Sequence, residues 1–386
     1  MLFYNRKGSG TIKKKVKKPK IKSFKLKRSS KLLVGLDVGS HTIKIAVGQY
    51  KNHKIVLKKV CQIEMIDHSV KDGKLVEKRN AEEALANLVW HEKIKKKNFA
   101  CTVESSEVIR REILLPWVNK KEIMGLITYE IGQYIPINPE AYIIQYKVLD
   151  SNAGENGQQM RLMVCAMPKN LALDYRDILQ NLHLRAYALD THTNALEKFM
   201  RLKSTKEFEN KNLVFIDMGH SQFNISFFHH KDCLFSKKLD IGGYMLNEVL
   251  LANSEIGEKD AERLKISNMN KISIVKLSSA CGTSERWSPE QADYREELVL
   301  RGMMNIIDRW ADEINQVLKY TIRENGDIDE ILLYGGCSFI CDLDAYFQKR
   351  FNMKTRLMMI NDSVTGKVDR AQIPVYLNAI CALIRN

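Results

Sequence analysis

The sequence predicts an α/β protein of two similar lobes, with a small α+β subdomain inserted into the first. Three observations carry that prediction. Residues 32–49 read as strand, Asp-x-Gly turn and returning strand, and residues 211–230 repeat the pattern with Asp37 and Asp217 set 180 positions apart. An apolar strand near the C-terminus, Glu330 to Tyr334, opens onto Gly335-Gly336. Between the two copies a strand–helix–strand–strand block interrupts the alternation of strands and helices. At 386 residues and 45% hydrophobic content, the chain exceeds the ~250–300 residues at which a single core stops growing.

Each element has its local reason. Leu32–Val38 and Thr42–Gln49 are apolar and β-branched, joined at Gly39-Ser40-His41, and Ile55–Met65 forms a third strand. Ala84, Leu85, Leu88 and Val89 have helical spacing, which predicts a helix over Asn80–Ile94 capped by Asn80, followed by a strand at Phe99–Val103. Ile109–Pro116 starts the insert. Asn119 begins its helix, where Ile123, Ile127, Ile131 and Ile135 recur every four residues until Pro136 ends it. That stripe suits the core of the insert or, alternatively, an exposed groove for a partner. Tyr142–Leu149 and Leu162–Met167 are the remaining strands of the insert, and a helix (Asn170–Leu182), a strand (Ala186–Asp190) and a helix (Thr193–Leu202) end the first half.

The second half repeats the opening, with a third strand at Cys233–Leu239 and Gly242-Gly243 ahead of a helix. A helical region (Gly257–Val275), a loop (Ser278–Gln291), a long amphipathic helix (Ala292–Arg323) and a closing helix (Tyr376–Ile384) complete the order. The expected division is a basic tail over 1–31, a first lobe over 32–106 with 184–202, the insert over 107–183, and a second lobe over 203–386 whose helical subdomain spans 246–326.

Lys and Arg number 61 against 46 Asp and Glu, yet residues 1–31 hold 13 basic residues and no acid, leaving 48 against 46 in the other 355. The body is nearly neutral, which argues against a nucleic-acid-binding fold with a basic face. The tail is too charged to fold alone. It suits an anionic membrane surface, nucleic acid as the competing polyanion, or solvent only. No run approaches the ~18–20 apolar residues of a membrane span, and the tail lacks the apolar core of a secretion signal. Eight cysteines without C-x-x-C spacing fit reduced thiols. A soluble, cytoplasmic protein is expected. His229, His230 and Cys233 raise a metal site, but neighbours on a strand point to opposite faces, which favours an exposed hairpin tip.

An Asp-x-Gly hairpin suits phosphate binding because a tight turn presents consecutive backbone N–H groups, glycine allows close approach, and the carboxylate can hold Mg²⁺ through water. One such turn is common in proteins that bind nothing. Two at symmetric positions, with a later strand opening onto two glycines, make the constellation of a nucleotide clamped between lobes.

At these residues the resemblance becomes specific. LVGLDVGSHTIKIAV resembles the first phosphate motif of the actin-like ATPase superfamily (the duplicated ribonuclease-H-like fold), LVFIDMGHSQFNIS the second, and DEILLYGGCSFICDLDAYF its adenosine motif. Within it, residues 111–150 are similar to the type IV pilus assembly PilM family, whose insert carries R-x-x-x-x-P and E-x-x-x-Y-I-P. Here those are Arg111 with Pro116, and Glu130 with Tyr134, Ile135 and Pro136. The resemblance covers about 32–386. It implies ATP and Mg²⁺ as ligands, with Asp37, Gly39, Ser40 and Lys44 facing phosphate and metal, and Asp217, Gly219 and Ser221 opposite. Asp37 and Asp217 would hold the Mg²⁺ through water. AERLK is similar to the superfamily helix whose Glu and Lys face ribose and base, here Glu262 and Lys265, though a solvated helix pair reads the same way. Gly335, Gly336 and Ser338 would form the adenine-side turn. His220, Gln222 and Phe223 depart from the small or hydroxyl residues usual in the second loop, and Cys337 from the small residue after the glycines.

The resemblance implies an ATP-binding scaffold of a type IV pilus or related machine, peripheral at the inner face of the cell membrane. Its partner would be the short cytoplasmic N-terminus of a PilN-like inner-membrane protein, with other pilus assembly proteins or a second copy as further partners. The rival reading is an actin-like ATPase or filament former of the FtsA type. A sugar-kinase reading lacks an identifiable base and acceptor pocket. No catalytic residue is legible, so ATP binding with weak or no hydrolysis is expected.

Overall fold

The computed structural model describes residues 32–385 apart from 67, 95–97, 135–137, 155–157, 203–205, 254–255, 270–293 and 360–362. The basic tail, the loop expected at Ser278–Gln291, and Ile135 and Pro136 lie outside the described residues.

The first sheet is built on β1 (Leu33–Val38), β2 (Thr42–Lys51), β3 (Lys54–Glu64), β6 (Asn98–Val103) and β10 (Arg185–Thr191), in the order β10-β6-β1-β2-β3, with β16 (Val364–Gly366) at its far edge. β1 runs antiparallel to β2 and parallel to β6, and it is buried along its whole length, as a central strand covered on both faces must be. A short hairpin, β4 (Val70–Lys71) and β5 (Lys74–Leu75), precedes α1 (Lys78–His91). The helix starts two residues ahead of the expected Asn80, with Glu77 at the cap position and no side-chain cap bond. Packing of Ala81, Ala84, Leu85 and Leu88 on the sheet fixes its start instead.

The insert is a three-stranded antiparallel sheet of β7 (Ile109–Pro116), β9 (Gln159–Pro168) and β8 (Tyr142–Ala153), covered by α2 (Lys120–Tyr134). Ile123, Ile127 and Ile131 pack on Leu115, Leu162 and Val164, so the stripe is the insert's core and not an open groove. One boundary differs from expectation. The helix placed in the insert, α3 (Lys169–Asn181), buries Leu171, Tyr175, Ile178 and Leu179 in the first lobe's core with Leu85 and Phe99.

The second sheet repeats the first: β11 (Asn212–Met218), β12 (Phe223–His229), β13 (Asp232–Leu239), β14 (Glu330–Tyr334) and β15 (Thr355–Leu357), ordered β13-β12-β11-β14-β15. Its outer face carries α5 (Tyr244–Asn253), α6 (Glu258–Met269), α7 (Tyr294–Asn325) and α8 (Leu343–Phe351) around the fully buried Trp310. Phe223, named above with the second loop, is the first residue of the returning strand β12 and packs edge-on against Trp310 at 4.9 Å between ring centroids. His229 and His230 do not point apart. His230 takes a left-handed φ of 56° at the hairpin tip, which stacks the two rings at 4.1 Å.

Between the sheets lie α4 (His192–Met200) and the short α9 (Leu377–Cys381), sharing one core of Phe199, Phe215, Tyr334 and Ile380 with residues of both lobes. The C-terminal residues thus cross from the second lobe: β16 pairs with β3 in the first sheet, and α9 lies so close to β1 that a Cβ at Gly35 would come within 1.8 Å of the Ala379 carbonyl oxygen. No described helix is long and apolar enough to cross a membrane.

Candidate functional site

β1 and β11 end on opposite walls of one cleft of about 710 Å³, and each brings an aspartate to its rim. The turns that follow are closed alike, with Gly39 N–H donating to the Thr42 carbonyl at 3.0 Å and Gly219 N–H to the Gln222 carbonyl at 3.2 Å. Antiparallel pairing then sets Lys44 opposite Asp37 and Asn224 opposite Asp217. Asp37, Gly39, Ser40 and Lys44 line one wall, and Asp217, Gly219 and Ser221 the other. Glu262, Lys265, Gly335 and Gly336 line the same cleft. Ser338 does not. It sits in the turn after β14, where its hydroxyl donates to the Gly335 carbonyl at 2.7 Å.

Both carboxylates are buried, and one side chain lies between them. His192, first residue of α4, places Nε2 at 3.2 Å from Asp37 Oδ1 and Nδ1 at 3.7 Å from Asp217 Oδ2. Asn378 Nδ2 donates to Asp217 Oδ2 at 2.8 Å. Burial works against a charged imidazole, but Asp37, with Asp217 behind it, raises His192 to about 9. The same burial opposes a charged Asp37, and His192 and Lys44 override it, holding the carboxyl below its ordinary value. At Asp217 burial prevails and the carboxyl is pushed up, with Asp37 reinforcing it against His192 and Asn378. Glu104, after β6, is pushed up by burial too and accepts from Thr193 Oγ1 at 3.3 Å.

The far wall is a fitted assembly. Lys265 Nζ donates to Glu262 Oε2 at 2.6 Å, and Asn247 Nδ2 to the same oxygen at 2.8 Å. Both ends of the pair are buried, so the solvated-helix reading does not hold. Cys337 Sγ donates to the Gly219 carbonyl at 3.3 Å and fills the space over Gly243, where a Cβ would come within 2.6 Å of the sulfur. Gly335 has φ of +94°, and a Cβ there would meet Asp217 Oδ1 at 2.6 Å, so the glycine is required twice over.

Across the cleft the lobes also touch at His41 and at Asp72. The rings of His41 and His220 stack with centroids 4.5 Å apart and planes 20° apart. Asp72, in the turn between β4 and β5, accepts from Lys238 of β13 and from Ser106 N–H at 2.9 Å.

A sequence profile of the family described as type IV pilus assembly protein PilM matches residues 35–272. The chain belongs to the PilM family. The structure of a PilM–PilN type IV pilus biogenesis complex is similar to this PilM-family chain at a TM-score of 0.74 and 15% identity, over 91% of this chain and 97% of that one. The ethanolamine utilization protein EutJ from Carboxydothermus hydrogenoformans follows at 0.53 and 12%, over 92% and 90%. A subunit of the MamK double helical filament matches at 0.50 and 11%, over 91% and 97%. The fold of this PilM-family chain is that of the actin-like ATPases.

Among the cleft residues that escaped the sequence reading are Glu104, His192, Asn224 and Asn378. Asn224 was within reach, because it stands 180 residues after Lys44 as Asp217 stands 180 after Asp37. His192 gave a weaker signal, a polar residue where a parallel strand hands over to a helix. Asn378 and Glu104 gave none.

Proposed function

We propose that this PilM-family chain is an ATP-binding scaffold of a type IV pilus or related assembly machine, placed at the cytoplasmic face of the inner membrane, where it binds the short N-terminal segment of a PilN-like protein. The observation that carries the reading is the pair Asp37 and Asp217, on duplicated strand ends facing one cleft. Its volume lies within the ~300–1,000 Å³ of small-molecule sites. Asn224 supports it as well, since its buried Oδ1 at the cleft wall has no hydrogen-bond partner among the described residues.

In this reading the backbone of the Gly39-Ser40 and Gly219-His220-Ser221 turns and the Lys44 ammonium hold the phosphates. Asp37 and Asp217 would hold Mg²⁺ through water, and the ion would supply positive charge beside the phosphate oxygens. Glu262 and Lys265 face ribose and base, and the Gly335-Gly336 turn seats the adenine. His192 holds the two carboxylates together. The PilM–PilN complex, similar over nearly its whole chain, supports the partner.

Calorimetry with Mg-ATP on the full chain, Asp37→Ala and Asp217→Ala tests the cleft. Each variant should lose at least roughly tenfold in affinity, because each removes a carboxylate that organises the ion. Wild-type affinity in both would sink the clamp. Capture of a PilN-like N-terminal peptide tests the partner.

A further inference from the structure

The cleft lies at the C-terminal ends of β1, β6 and β10, and the opposite pole of the first lobe is chemically unlike it. There Leu33, Asn98 and Arg185 start three strands in one register row, beside the β2–β3 hairpin tip, and α1 and α3 end there as well. Four exposed cations collect at this pole: Lys51 and Lys54 on the hairpin tip, Lys93 after α1, and Arg185 at the start of β10. Among the segments 51–54, 90–94 and 181–185 the single acid is Glu92, and it is ion-paired to Lys59. None of the four cations has an ion pair among the described residues, so the pole keeps its charge.

Basic residues at helix C-termini have a local use, complementing the helix dipole. That accounts for Lys93 alone. It accounts neither for the hairpin lysines nor for Trp90, in the last turn of α1, which is 76% exposed. A large indole left in water beside unpaired cations is the pattern of an interfacial anchor, apolar ring against acyl chains and ammonium groups at the headgroups. The tail adds the third element. Its 13 cations enter the fold at Leu33, on the same pole. Outside the tail the chain is nearly balanced, at 48 against 46, so the basic pole is a local surface on a neutral body. A duplex-tracking stripe would need such charge spread along a groove.

We infer that this pole docks on an anionic lipid bilayer, with Lys51, Lys54, Lys93 and Arg185 at the headgroups and Trp90 inserted between them. The nucleotide cleft then faces away from the membrane and stays open to the cytoplasm. This rests on the proposed membrane-side location for the source of the lipid, and on nothing in the nucleotide site.

The test is flotation of the full chain with vesicles of phosphatidylcholine containing about 30% phosphatidylglycerol, at low and high salt. The variant Lys51→Glu/Lys54→Glu/Lys93→Glu/Arg185→Glu keeps the tail intact and should lose roughly tenfold or more in partitioning, since each cation near such a surface adds to the attraction. Its melting temperature should match wild type, because all four side chains are exposed. Wild-type tryptophan emission should shift blue on the vesicles, and that of Trp90→Phe should not. Wild-type partitioning by the quadruple variant would overturn the proposal, leaving the tail as sole tether. So would a vesicle-induced shift that survives in Trp90→Phe, or retention of the full chain on duplex DNA with none on vesicles. Mg-ATP affinity, measured on the same quadruple variant, should be unchanged, which separates failure of the docking face from failure of the nucleotide reading.

Discussion

His192 Nε2 stands 3.2 Å from Asp37 Oδ1, and its other ring nitrogen faces Asp217 across the cleft, so one imidazole joins the lobes. In sequence His192 is 155 residues from Asp37. The three groups share a buried space in which either carboxylate alone would carry a desolvation penalty.

Replacing His192 with Ala therefore leaves Asp37 and Asp217 facing each other without their shared cation. Breaking such a buried pair costs about 3 kcal/mol or more, so the ligand-free variant should melt lower. Mg²⁺ should recover more of that loss in His192→Ala than it adds to wild type. Equal melting of the two ligand-free proteins in calorimetry would show that His192 is no tie.

Glu197, on α4, holds the insert in place. Its carboxylate meets Lys147 Nζ of β8 at 2.5 Å, Arg110 Nη2 of β7 at 3.2 Å and Arg201 Nη2 at 3.1 Å, while Arg110 also donates to the Cys233 carbonyl of the second lobe at 3.0 Å. Burial opposes the charge, but Lys147, then Arg110 and Arg201, hold the carboxyl below its ordinary value. Its contribution to stability is present above the unfolded carboxyl's pKa of about 4.3 and is lost as pH falls through the lower folded value. Urea unfolding between neutral pH and about pH 3 should show this loss. Glu197→Gln should flatten that part of the profile and cost about 3 kcal/mol at neutral pH. An unchanged acid limb in the variant would assign the pH dependence elsewhere.

Gly335→Ala meets two obstacles, a left-handed φ and the Asp217 carboxylate. The backbone cost alone is about 1–2 kcal/mol. Displacement of Asp217 should weaken Mg-ATP binding as well, in contrast to Gly125→Ala on α2, where a Cβ meets nothing within 4 Å. Wild-type binding by Gly335→Ala would detach the turn from the cleft.

Turnover should be slow. Two buried titratable groups of the cleft are already engaged, His192 by both aspartates and Glu104 by Thr193. Steady-state phosphate release without partners should stay well below the roughly 1 per second of ordinary enzymes. Faster release would favour the actin-like ATPase reading.

The 180-residue repeat of Asp37 and Asp217, the turn glycines and the apolar strands were legible in the sequence because each depends on residues adjacent along the chain. Alternation, turn geometry and a carboxylate at a strand end are local properties, and duplication printed them twice. The isoleucine stripe was legible as a periodicity, but only Leu115, Leu162 and Val164 on the facing sheet decided that it is covered. Where α3 belongs was decided likewise by which core received Tyr175 and Leu179. The charges of the cleft could be settled only in three dimensions. Asp37 and Asp217 are chemically the same residue in the same motif. One is held below its ordinary value and the other above it, because His192 and Lys44 prevail over burial at the first while burial prevails at the second. Chain segments 155 and 161 residues apart set that balance by bringing His192 to Asp37 and Asn378 to Asp217. Electrostatic energy in a buried space depends on distance through the fold and on excluded water, neither of which has a period or a spacing along the chain.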